Sequence, residues 1–163
     1  MFINTRRAWV VAFAVAAAAL TGPVAAQVQP AKQKLVIQVS DADPGKWRLA
    51  LNNVKNVQDE LGGPDAVDIE VVVYGPGIGM LKADSAVAPQ IASALKNEVK
   101  VVACENTMKT QKLVYADMLP AIGYVPAGVV ELMKKQQQGY AYIRPYTLPE
   151  GTIAIWRQAA IAA

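Results

Sequence analysis

The chain has 163 residues, with 16 Lys and Arg against 13 Asp and Glu, and a formal net charge of +3. It has no histidine, which excludes Ser-His-Asp and Cys-His catalysis and any His-ligated zinc or haem. Its single cysteine excludes an intramolecular disulfide.

The first 26 residues read as a secretory signal peptide. Arg6 and Arg7 form a basic start, residues 9–20 an apolar run, and Val24, Ala25 and Ala26 a small-residue cleavage site. The run is shorter than the roughly 20 residues that a spanning helix needs, which favours cleavage after Ala26 over a retained anchor. Thr5, Arg6 and Arg7 match a twin-arginine signal only loosely, so ordinary secretion is the expected route to a periplasmic or secreted location. Residues 27–163 then remain, the length of one ordinary domain. The signal holds two basic residues and no acid, so the mature chain is nearly neutral. No Lys/Arg cluster with interleaved aromatics is present, so neither nucleic acid nor, after cleavage, a membrane surface is an expected partner.

Residues 27–33 read as a linker, and residues 35–39 as a continuous apolar strand of the kind covered on both faces. Asp43 and Pro44 open a helix as N-cap and first residue; Trp47, Leu49, Ala50, Val54, Val57 and Leu61 recur at helical spacing, and Gly62-Gly63 stop it. A second strand over residues 67–74 ends in a loop with Gly75, Pro76, Gly77 and Gly79. A short helix over 89–97 and a third strand over 99–103 follow, with Cys104 directly after the strand. Asn106 or Thr107 is expected to cap a helix over Met108, Leu113 and Val114. Residues 122–125, 127–138 and 140–143 complete a fourth strand, a helix stopped by Gly139, and a fifth strand. Such alternation predicts an α/β fold: three α/β/α layers around a five-stranded, mostly parallel sheet, flavodoxin-like in general architecture. The domain spans 34–145, and 146–163 form a tail in which Ile153, Ile155 and Trp156 are apolar enough to dock.

In a parallel sheet, functional groups gather beyond the carboxyl ends of the strands, and Cys104 falls at such an end. It is either a small buried apolar residue or a thiol whose pKa a following helix N-terminus lowers. Glu105 opposes that lowering, while Lys109 and Lys112 are near enough in sequence to offset it. The glycines of residues 75–79 do not have dinucleotide-binding spacing, and Pro76 removes an N–H donor. They read as a turn shaping the rim of the Cys104 site, with Gly75, Gly77 and Tyr74 lining it, rather than as a phosphate cradle. Asn106 and Thr107 read as caps before substrate contacts. Asp41 and Asp43 make a weak metal pair, so no metal and no cofactor is expected; a flavin on this architecture is the weakest option.

The runs Val101-Val102-Ala103-Cys104-Glu105-Asn106-Thr107-Met108-Lys109, Val125-Pro126-Ala127-Gly128-Val129-Val130-Glu131-Leu132 and Gly139-Tyr140-Ala141-Tyr142-Ile143-Arg144-Pro145 resemble the DsrE/DsrF-like proteins of sulfur relay chemistry, in their exported branch. The resemblance covers residues 34–145 and implies a five-stranded parallel sheet between helix layers. It implies further that Cys104 carries sulfane sulfur as a persulfide, or acts as a thiol sensor, exchanging with a donor or acceptor protein or a small thiol. It implies homo-oligomers as well. The alternative is a non-catalytic ligand-binding or assembly module in which Cys104 merely packs.

Overall fold

The computed structural model describes residues 31–146, which fall within one compact unit. The expected signal peptide, most of the linker, and the tail beyond Tyr146 lie outside the described residues. Five strands, β1 (Gln33–Val39), β2 (Val67–Val73), β3 (Lys100–Cys104), β4 (Gly123–Val125) and β5 (Ala141–Ile143), form one sheet in the order β4-β3-β2-β1-β5. All four pairings are parallel, so the mostly parallel expectation sharpens to an all-parallel sheet.

Four α-helices connect the strands: α1 (Pro44–Leu61), α2 (Ala88–Lys96), α3 (Glu105–Thr110) and α4 (Gly128–Gln137). Steps from β1 to β4 advance in one direction, whereas the step from β4 to β5 returns across the whole sheet. Right-handed crossovers must then put α1, α2 and α3 on one face and α4 on the other. The two cores agree. Leu35, Ile37, Ile69, Val71 and Val101 pack with Trp47, Leu51 and Val54 of α1, Ile91 of α2 and Met108 of α3. The alternate positions Val36, Val72 and Val102 pack with Leu132 of α4 and with Tyr140.

Local signals account for most boundaries. The Asp43 side chain accepts from the Gly45 amide at 2.7 Å and Pro44 opens α1, as the sequence predicts. Each helix ends in the same reversal, with a left-handed residue at Gly62, Glu98, Lys112 or Gly139. At Lys112 the Leu113 amide reaches back to the Met108 carbonyl at 2.9 Å, and this stops α3 before the Leu113 and Val114 expected inside it. The glycine loop also differs from a simple turn: Gly75–Leu81 winds as a 3₁₀ helix. Gly77 lets it press onto the end of β1, since a Cβ there would stand 2.7 Å from the Val39 carbonyl oxygen.

Candidate functional site

Neighbouring strands β3 and β4 send their following helices to opposite faces, so the crevice between their carboxyl ends is the topological switch point of the sheet, where α/β proteins bind ligands. Cys104 is the last residue of β3 and pairs with Val125 of β4 in that crevice. It is also the N-cap of α3, so the helix starts two residues earlier than a cap at Asn106 implies and three earlier than one at Thr107. Asn106 and Thr107 therefore lie in its first turn rather than capping it, because the strand runs directly into the helix with no intervening loop.

The side chain of Cys104 shares the α4 face with Val102, two residues before it. There it lies under the influence of donors from both helices: the Thr107 hydroxyl and the Thr107 and Asn106 amides of α3, and the Gly128 amide at the start of α4. Burial pushes the thiol pKa up, and these donors, led by the Thr107 hydroxyl, more than reverse it, so that the thiol sits below its ordinary value. None of the α3 donors closes a regular capping hydrogen bond on the sulfur. The Asn106 amide also serves the Pro126 carbonyl at 3.2 Å, which fastens the loop entering α4 to the start of α3.

The glycine loop supports the same point. The Gly75 amide donates to Thr107 Oγ1 at 2.9 Å, and the Gln111 side-chain amide donates to the Gly75 carbonyl at 3.2 Å. With the Gly75 amide committed to Thr107 and the Gly77 amide to the Tyr74 carbonyl at 3.1 Å, these N–H groups are not arranged to cradle a phosphate. Gly77 itself packs on β1 and acts through the loop's position. Gly75, Pro76, Asn106, Thr107, Thr110 and Gln111 line a shallow groove of about 420 Å³.

Tyr74 extends β2 beside Cys104, since Val73 pairs with Ala103 immediately before them. Burial, followed by the neighbouring charges of Tyr142, Asp41 and Cys104, raises its phenol above the ordinary value despite the opposing effect of Arg144. A Cβ on Gly128 would lie 3.1 Å from Tyr74 Cβ and Cδ1, so the missing side chain lets α4 bring its first amide to the sulfur. Under this cover Cys104 is only 5% exposed. Glu105 is turned to other use: Tyr115 donates its hydroxyl to Glu105 Oε1 at 2.6 Å, and packs edge-on to Tyr124. Neither Lys109 nor Lys112 is among the leading influences on the thiol pKa.

The structure therefore gathers Cys104, Thr107, Asn106, Gly75 and Tyr74 at one end of the sheet, with Gly77 beneath the loop. Sequence reasoning missed Gly128 and Tyr115. The signal for Gly128 was a glycine at a helix start just after a strand, where close approach of another backbone is the usual reason for the residue. Asp41 and Asp43 do not act together: Asp43 caps α1, while Asp41 pairs with Lys46 at 3.3 Å and Arg144 at 3.5 Å.

Comparisons bear on the whole of this domain. The chain is similar to a protein of unknown function, MTH1491 from Methanobacterium thermoautotrophicum, at 30% identity and a TM-score of 0.66, over 70% of this chain and 100% of that one. It shares its fold with the ychN protein of E. coli, at 13% identity and a TM-score of 0.57 over 69% of this chain and 98% of that one. A conserved protein of unknown function from Bacteroides thetaiotaomicron, BT1422, has the same fold at 13% identity and a TM-score of 0.57, over 69% and 94%. No curated protein matches the sequence. The family model for DsrE/DsrF-like proteins matches residues 33–145, nearly all that the structure describes, and the chain belongs to that family.

Proposed function

We propose that the protein handles sulfane sulfur through Cys104, as a persulfide carrier or thiol sensor rather than a turnover enzyme, and that it does so outside the cytoplasm. Membership of the DsrE/DsrF-like family suggests a sulfur-relay type of role. The observation that carries the finer reading is the convergence of two helix starts and the Thr107 hydroxyl on one thiol at the switch point. Electron balance needs no outside oxidant. The Cys104 thiolate attacks the outer sulfur of a donor persulfide, the donor S–S bond breaks, and its electron pair leaves with the donor thiolate. Cys104 then carries the outer sulfur and its proton. For delivery, an acceptor thiolate attacks that outer sulfur and Cys104 departs as thiolate, a leaving group that a lowered pKa favours. No general base is required, which suits a chain without histidine.

At 5% exposure the sulfur needs movement of Tyr74 or of the start of α4 before a donor reaches it. That same burial favours the second reading, an assembly or ligand-binding module in which Cys104 packs. Intact-mass measurement after incubation with a polysulfide separates the two. One added sulfur in the wild type and none in Cys104→Ser supports the carrier; a folded wild type that takes up neither sulfur nor an alkylating reagent supports the packing role.

A further inference from the structure

Glu105 is the first residue of α3 and directly follows the cysteine, yet its carboxylate is held elsewhere. Val125, which pairs with Cys104, packs against the core under α4. Tyr124, one residue earlier and paired with Ala103, packs against the core under α1, α2 and α3. The Tyr115 ring stands edge-on to Tyr124 at 4.5 Å between centroids, and its hydroxyl donates to Glu105 Oε1 at 2.6 Å. The carboxylate is thereby drawn to the Tyr124 face of the sheet, opposite to that of the thiol. Tyr115 is 60% exposed, so its own burial does little to fix it. The backbone around it does so instead. Asp117 Oδ2 accepts from the Val114 amide at 2.8 Å, the Ala83 amide donates to the Asp117 carbonyl at 2.9 Å, and the Leu119 amide donates to the Leu81 carbonyl at 2.8 Å. The turn that carries Tyr115 is thus fastened to the chain leaving the glycine loop. The bond to Glu105 also raises the Tyr115 phenol above its ordinary pKa, so it remains a donor through the neutral range.

We propose that Tyr115 is a positioning residue for Cys104: its hydroxyl keeps the neighbouring Glu105 carboxylate off the thiol side of the sheet, an inference that rests on the sulfur-handling reading of that thiol. A carboxylate beside the sulfur would disfavour the thiolate and repel an incoming sulfur anion. Neither Lys109 nor Lys112 is among the leading influences that could offset it. Held on the other face, the Glu105 charge still suits the N-terminus of α3 without opposing the thiolate. The remaining titratable groups around the sulfur are Tyr74, packed on the start of α4, and beyond it Asp41, Tyr142 and Arg144. Substitutions at Tyr115 and Glu105 leave all four in place.

Titration of Cys104, followed by NMR through the carbon shift of its own Cβ, tests this and needs no reagent to reach the sulfur. In Tyr115→Phe, which keeps the ring, the midpoint should rise so that the thiolate fraction below it falls by about twofold to tenfold. High salt should shrink that change, as expected of a charge acting through solvent. Glu105→Gln should restore the wild-type midpoint when combined with Tyr115→Phe, and should move it little alone. An unmoved midpoint in Tyr115→Phe overturns the proposal. So does an equal rise in the double variant, which would make the effect one of packing. Sulfur uptake from a polysulfide is followed on the same proteins: a wild type without uptake overturns the carrier reading, whereas an unmoved titration overturns only the role of Tyr115.

Discussion

The Gly75 amide donates to Thr107 Oγ1 at 2.9 Å, and the Thr107 hydroxyl is in turn among the groups that lower the Cys104 thiol pKa. A single side chain thus links the glycine loop after β2 to the thiol at the end of β3. Thr107→Val removes both ends of that link while keeping the shape. Its thiol should titrate higher than that of the wild type, and its alkylation rate at neutral pH should fall by about threefold to tenfold, while Thr107→Ser restores both. The pH dependence of alkylation by iodoacetamide checks this, with circular dichroism to confirm folding.

The same shift makes stability depend on pH. Because the folded thiol pKa lies below the unfolded value, the folded state loses its proton first as pH rises. Cys104 therefore contributes stability that is fully present above an unfolded pKa of about 8.5 and is lost as pH falls through the folded value. Urea unfolding of wild type and Cys104→Ser across this range should give a difference that grows with pH. A difference that is flat, or that shrinks with rising pH, contradicts the lowered pKa.

Gly128→Ala places a methyl against the Tyr74 ring, where the nearest atoms stand at 3.1 Å. The ring or the start of α4 must move, at a cost of about 1–3 kcal/mol. Removing the ring should relieve the clash, so Tyr74→Ala combined with Gly128→Ala should cost less than the two single losses together. Chemical denaturation gives the cycle, and thiol alkylation of the same four proteins reports whether Tyr74 shields the sulfur.

Beneath α4, Lys135 Nζ lies 2.6 Å from Glu70 Oε2, and Glu70 Oε1 has no partner among the described residues. Burial is the main reason the Glu70 carboxyl sits above its ordinary pKa, though Lys135 pulls it back. Lys135→Met strands a buried carboxylate and should destabilise by about 3–5 kcal/mol at neutral pH. Glu70→Leu together with Lys135→Met should recover most of that loss. With Lys135 present, the raised Glu70 pKa means stability is greatest below the unfolded carboxyl value and declines as pH rises through the folded one. Thermal unfolding from pH 4 to 7, with Glu70→Gln as control, measures that decline.

Glu98 and Lys112 hold left-handed backbone conformations at φ 60° and 56°. Glycine at either position should stabilise by up to about 1 kcal/mol, the strain it relieves being partly offset by the greater freedom of the unfolded chain. Differential scanning calorimetry of Glu98→Gly and Lys112→Gly checks the direction.

These two residues also show where the sequence was hard to read. Helix ends at Gly62 and Gly139 announce themselves, because glycine is the residue that the left-handed reversal prefers, whereas Glu98 and Lys112 take the same conformation under the backbone bonds from Val99 to Ala94 and from Leu113 to Met108 and carry no mark in their residue type. Alternation of apolar strands with amphipathic helices was enough for the layers and the parallel sheet. Strand order was not, since a return from β4 to a place beside β1 leaves no trace in periodicity. At the site, Cys104 and Thr107 were legible as residue types at a strand end. The burial of the thiol and the approach of Gly128 were not, because both depend on α4 crossing to the far face and on a glycine that Tyr74 requires.

The place of β5 in the sheet has a consequence for biosynthesis. β1 presents five consecutive buried residues, Leu35 to Val39, and one of its edges is covered by three residues near the far end of the chain, with Leu35 paired to Ala141. Until those residues emerge, a nascent chain exposes an aggregation-prone edge at its beginning. A ribosome-bound or truncated form ending before Ala141 therefore leaves that edge of β1 without the strand that covers it in the finished domain.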